Sequence, residues 1–78
     1  MTVNFVGIGY QDIANYSILC KSTDTFVKLE EILYKDFPEL KNYENYYMVN
    51  SRRILRYKTL EENQINNNDI INVFKIDN

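Results

Sequence analysis

Seventy-eight residues allow one domain, and 45% hydrophobic with 26% charged residues is the composition of an ordinary globular chain rather than of a disordered tail. With no His and a single Cys, Cys20, the chain has no Ser-His or Cys-His nucleophilic pair, no imidazole or thiolate metal cage and no internal disulfide, which fits a reducing compartment. A net charge of −2 argues against nucleic acid as the main ligand.

No apolar run approaches the roughly 18 residues of a membrane span. The start Met1-Thr2-Val3-Asn4 lacks the basic and apolar regions of a signal peptide. A cytoplasmic or nuclear setting without membrane contact is therefore expected.

Thr2 to Ile8 alternates around Val3 and Phe5, the period of a strand. Gly7 and Gly9, followed by Tyr10-Gln11-Asp12, offer permissive backbone for a reversal. Tyr16 to Cys20 alternates again with Tyr16, Ile18 and Cys20 on one face, so the two runs read as a hairpin with a long, loose loop.

Ser22-Thr23-Asp24-Thr25 then supplies side-chain oxygens suited to an N-cap. Phe26, Leu29, Leu33 and Phe37 recur at three and four, one helical stripe, and Glu31 and Lys35 stand in the favourable i,i+4 order. Pro38 ends the helix, expected over Phe26 to Asp36.

After a polar connection, Glu39 to Asn45, come a short strand Tyr46 to Val49, a tight turn at Asn50-Ser51 and a brief strand Arg53 to Leu55. Thr59 to Asn68 is polar, with Leu60 and Ile65 as its buried positions, and reads as a short helical turn and loop. Asn66 to Asp69 punctuates the chain before the last strand, Ile70 to Ile76. The order ββαββ, a turn, then β gives an α+β fold whose sheet wraps one helix, the β-grasp arrangement.

Three stretches, in this order and spacing, carry a resemblance. They are Ser22-Thr23-Asp24-Thr25 leading into Phe26, Leu29 and Leu33; Tyr47-Met48-Val49-Asn50-Ser51-Arg52-Arg53-Ile54; and Lys58-Thr59-Leu60-Glu61-Glu62-Asn63-Gln64-Ile65 with the polar turn and strand that follow. Over essentially its whole length, 1–78, the chain resembles a ubiquitin-like domain. The resemblance implies a mixed five-stranded sheet packed on one α-helix.

The hairpin loop and the helix-to-strand connection look slightly longer than in ubiquitin. The sequence ends Lys75-Ile76-Asp77-Asn78, without the Gly-Gly that conjugated modifiers and sulfur carriers expose. A modifier would need that pair beyond Asn78.

Carried over residue by residue, the resemblance implies a recognition surface. With Tyr47 and Val49 inward, Tyr46 and Met48 face out. By the same parity Ile71 and Val73 are core while Ile70, Asn72, Phe74 and Ile76 face solvent. Met48 and Phe74 match positions of the exposed apolar patch by which ubiquitin is recognised, and Val6, Ile8, Tyr46 and Ile76 would enlarge it. Arg52 stands where ubiquitin carries a chain-linking lysine.

Apolar surface of this kind marks partner binding, or else a face covered by a neighbouring domain or a dimer contact. Arg52, Arg53, Arg56 and Lys58 form a basic run, either a solvated face or a rim steering an acidic partner. Glu30, Glu31, Asp36, Glu39 and Glu44 make the helix side acidic.

Cys20 reads as a core filler. The Asn66 to Asp69 cluster lacks the spaced acids and glycine of a calcium loop and reads as a turn in which Asp69 bonds local backbone. The neighbours in Glu30-Glu31 and Glu61-Glu62 diverge, so there is no catalytic constellation, and neither cofactor nor metal is expected. The reading is a non-catalytic, monomeric protein-interaction module whose partner belongs to the ubiquitin pathway or is a neighbouring domain of a longer chain. The alternatives are a modifier precursor or a structural, assembly domain of a larger protein.

Overall fold

Phe26, Leu29 and Leu33 can leave water together only if their segment is helical. In the computed structural model, which describes residues 1–76, all three are fully buried on one face of α1 (Phe26–Asp36). Each such side chain contributes about 1.5–3 kcal/mol. The face they cover belongs to a sheet of β1 (Thr2–Ile8), β2 (Tyr16–Leu19), β3 (Glu44–Val49), β4 (Arg52–Arg53) and β5 (Ile70–Ile76). Phe26 joins the two layers, its ring 6.1 Å from Phe5 of β1 and 4.8 Å from Tyr47 of β3.

The strands lie in the order β2-β1-β5-β3-β4, with β1 and β5 parallel at the centre and the other pairs antiparallel. This is a small α+β fold with one helix and a five-stranded mixed sheet, compatible with a β-grasp. Val3, Phe5, Ile18, Tyr47, Val49, Ile71 and Val73 point into the core, so the alternation expected of β1, β2, β3 and β5 holds. The tail residues Asp77 and Asn78, on which the expectation about a Gly-Gly ending bears, lie outside the described residues.

Several connections differ from expectation, each because tertiary contacts take over from local signals. The β1–β2 loop is not loose. Tyr10 and Ile13 are buried in it, and the Gly7 N–H donates to the Ile13 carbonyl at 2.8 Å. Gly7 is required for close approach, since a Cβ there would lie 2.7 Å from that of Tyr10, whereas Gly9 takes the left-handed backbone of the turn, with φ of 87°.

Thr25 is the N-cap of α1 but makes no side-chain cap bond. The Phe26 and Val27 N–H groups donate instead to the backbone carbonyls of Lys58 and Arg56, both at 2.9 Å. Asp24, from the expected capping cluster, accepts the Lys21 N–H at 2.9 Å and pairs with Lys28 at 3.2 Å. Those bonds hold its carboxyl below the usual range, the Lys21 backbone bond being the largest cause. Glu31 and Lys35 form no ion pair among the described residues.

The polar connection after α1 holds a 3-10 helix (Pro38–Asn42) that buries Leu40, and β3 begins at Glu44, inside the stretch read as connection. Asn50 and Ser51, with φ of 49° and 64°, form a two-residue turn of the type that suits the twist of a hairpin. It is closed by the Val49–Arg52 pair, so β4 falls one residue early and Ile54 turns into the core.

The Thr59 to Asn68 segment buries Leu60 and Ile65 as read. Thr59 and Glu62 cap one another, the Glu62 N–H donating to Thr59 Oγ1 and the Thr59 N–H to Glu62 Oε1, both at 3.0 Å. In the next turn Asp69 Oδ2 accepts the Asn66 N–H at 2.8 Å, as expected of a local backbone partner.

Candidate interaction face

Because β1, β5 and β3 are in register, the outward residues form rows across the sheet. One row is Ile8–Phe74–Tyr46, the next Val6–Asn72–Met48–Arg53. In the first, Tyr46 and Phe74 stack with ring centroids 4.9 Å apart and planes 10° from parallel. The guanidinium of Arg53 lies 4.8 Å above the Tyr46 centroid, an exposed cation–π contact of about 0.5–1 kcal/mol. Mutual covering leaves Val6, Tyr46, Met48, Phe74 and Ile76 half-buried, while Ile8 is 46% exposed.

Two of the expected site residues stand apart. Ile70 is 57% exposed but pairs with Asn4 at the other, polar end of β1, where Ser17 donates to Asn4 Oδ1. Arg52 donates from its two terminal nitrogens to the carbonyls of Asn63 and Gln64, at 2.8 and 3.2 Å, so its guanidinium braces the turn before β5. Arg53 is the cation over the aromatic row, and the parity of the β3–β4 hairpin would have marked it. Asn72 puts one polar side chain in the middle of the face.

Behind the β3 side of the sheet lies a polar cluster that composition alone does not show. Glu30, 6% exposed, is a core residue rather than part of the acidic helix side. It accepts from Tyr47 at 2.5 Å, from Arg56 Nη2 at 2.7 Å and from Tyr34 at 3.4 Å. Burial, then the Glu30 hydrogen bond, pushes the Tyr47 phenol far above its usual value. Burial pulls the Arg56 pKa down, and the charge and hydrogen bond of Glu30 outweigh it, so the net shift is upward.

Asn45, also buried, accepts from Tyr10 and donates to Tyr34 at 3.1 Å and to the Leu40 carbonyl at 2.8 Å. The cluster therefore links α1, β3, the β1–β2 loop and the segment after β4 through hydrogen bonds. Cys20 is buried, and burial pushes its thiol pKa up, the opposite of an activated nucleophile.

Among the described residues no group of His, Cys, Asp and Glu is placed to hold a metal ion. No helix among them is long and apolar enough to cross a membrane. No family model matches the chain, and no curated protein matches it significantly.

Proposed function

We propose that the chain is a β-grasp domain of the ubiquitin-like class, acting as a non-catalytic protein-interaction module that docks a partner's helix or loop on the outer sheet face around Met48 and Phe74. One observation carries this reading. The inner face already fills the core, yet the outer face bears a second apolar set, Val6, Ile8, Tyr46, Met48, Phe74 and Ile76, centred on a stacked aromatic pair.

Aromatic and Met side chains are favoured anchors of protein interfaces. A face of three strands suits a small interface, at or below about 1,200 Å². Ile70 and Arg52 lie at or beyond its margin, and Arg53 takes the rim position.

The test compares wild type with Met48→Asp and Phe74→Ala in affinity capture. A partner held by wild type should be lost by both variants. Met48→Asp should leave the unfolding midpoint nearly unchanged, and Phe74→Ala should cost about 1 kcal/mol through the lost Tyr46 stack. A partner retained by both variants would refute this docking face.

A further inference from the structure

Resting on that reading of the outer face, we propose that the partner segment carries a carboxylate side chain that docks between Arg53 and Arg56, in the hollow at the β3 margin of the patch. Two hollows of about 140 and 380 Å³ are both lined by Asn45, Arg53 and Arg56. Arg53 is exposed and, among the described residues, has no carboxylate in ion-pair reach. Arg56 gives Nη2 to Glu30 at 2.7 Å, which fixes its guanidinium beside the hollows; its Nε is shielded from water and has no acceptor among the described residues.

The guanidinium of Arg53, with no carboxylate in reach, and the positive charge of Arg56, already anchored by Glu30, thus flank the opening. A planar carboxylate matches the guanidinium fork and forms charge-assisted hydrogen bonds. The occupant is a protein segment rather than a free anion because the opening is continuous with apolar surface. Tyr46 lines the smaller hollow and Ile76 the larger, and both belong to the outer patch, so residues on either side of the acid would have apolar ground to cover. Glu44 also lines the larger hollow and opposes an incoming carboxylate, which gives the site a sign that can be tested.

The experiment selects random linear phage-displayed peptides on the intact chain. The best binder, and a version with its Glu and Asp changed to Gln and Asn, are then titrated into ¹⁵N-labelled protein. The expected binders carry Glu or Asp beside apolar residues and shift the amides of Tyr46, Arg53 and Phe74. The neutralised peptide on wild type, and the original peptide on Arg53→Gln, should each bind about tenfold more weakly. Glu44→Gln should tighten binding.

The neutralised peptide probes the same contact without altering the chain, so the result does not depend on how Arg53→Gln folds. Binders that lack an acid, or keep their affinity when neutralised, would overturn the carboxylate contact while leaving the docking face standing. Binders that shift only amides away from the outer face, or a selection that yields none, would overturn both.

Discussion

Neutralising Glu30 would leave the Tyr47 hydroxyl and the Arg56 guanidinium without the charge they share. Glu30→Gln is therefore expected to cost about 2 kcal/mol, allowing for the partial exposure of Arg56. Urea denaturation would show it as a lowered midpoint at unchanged slope, and an unchanged midpoint would contradict the role given to the cluster.

Tyr16 offers a pH test. Its hydrogen bond to Asp36 (the largest cause), with burial, raises its pKa to about 12 from an ordinary value of 10.0. The folded state holds this proton more tightly than the unfolded chain, so the contribution is complete below pH 10 and is lost as pH rises through about 12. Stability measured from pH 8 upward should fall less steeply in Tyr16→Phe, and an identical alkaline slope would refute the assignment.

The importance of Glu30 was within reach of the sequence. It stands four residues after Phe26 and four before Tyr34, at the margin of the apolar stripe. Charge alone assigned it to solvent, because a lone Glu among Leu residues is mostly exposed unless partners come from elsewhere in the fold.

At the scale of elements, α1 was legible to the residue because stripe and proline agree on its limits, but the way its first turn is satisfied was not. The local capping cluster is present, yet carbonyls from Arg56 and Lys58 take the donors. Thr25→Ala should then be nearly neutral, within about 0.5 kcal/mol, whereas Thr59→Ala, which breaks the reciprocal cap with Glu62, should cost about 1 kcal/mol. Thermal unfolding of the two variants measures both, and the reverse ranking would contradict this account of the helix start.

The Thr59-to-Glu62 spacing was itself a readable capping signature. Other features were not readable. Asn45 and Asn63 look like loop residues and are buried because backbone carbonyls satisfy their amides. Leu40 is buried by a 3-10 turn whose apolar content is too sparse to announce it.

For the whole molecule, strand parity was the legible quantity, because a side chain's face follows from its position by alternation alone. Parity separated Tyr47, Val49, Ile71 and Val73 from Tyr46, Met48 and Phe74, and the burial of each agrees. Parity does not say which outward residues become neighbours. That depends on strand order and register, which bring Ile8, Phe74 and Tyr46 into one row and leave Ile70 beside Asn4. It also does not reveal that Phe74 and Tyr46 half-cover each other, or that Arg52 is occupied with the chain before β5.

The central claim, that this second apolar face is where a partner docks, is tested most directly by titrating a captured partner into ¹⁵N-labelled protein and mapping the amide shifts. The account predicts a single cluster at Val6, Tyr46, Met48 and Phe74, with α1 unaffected. Shifts confined to α1 and the loops, with these four amides unmoved, would contradict it.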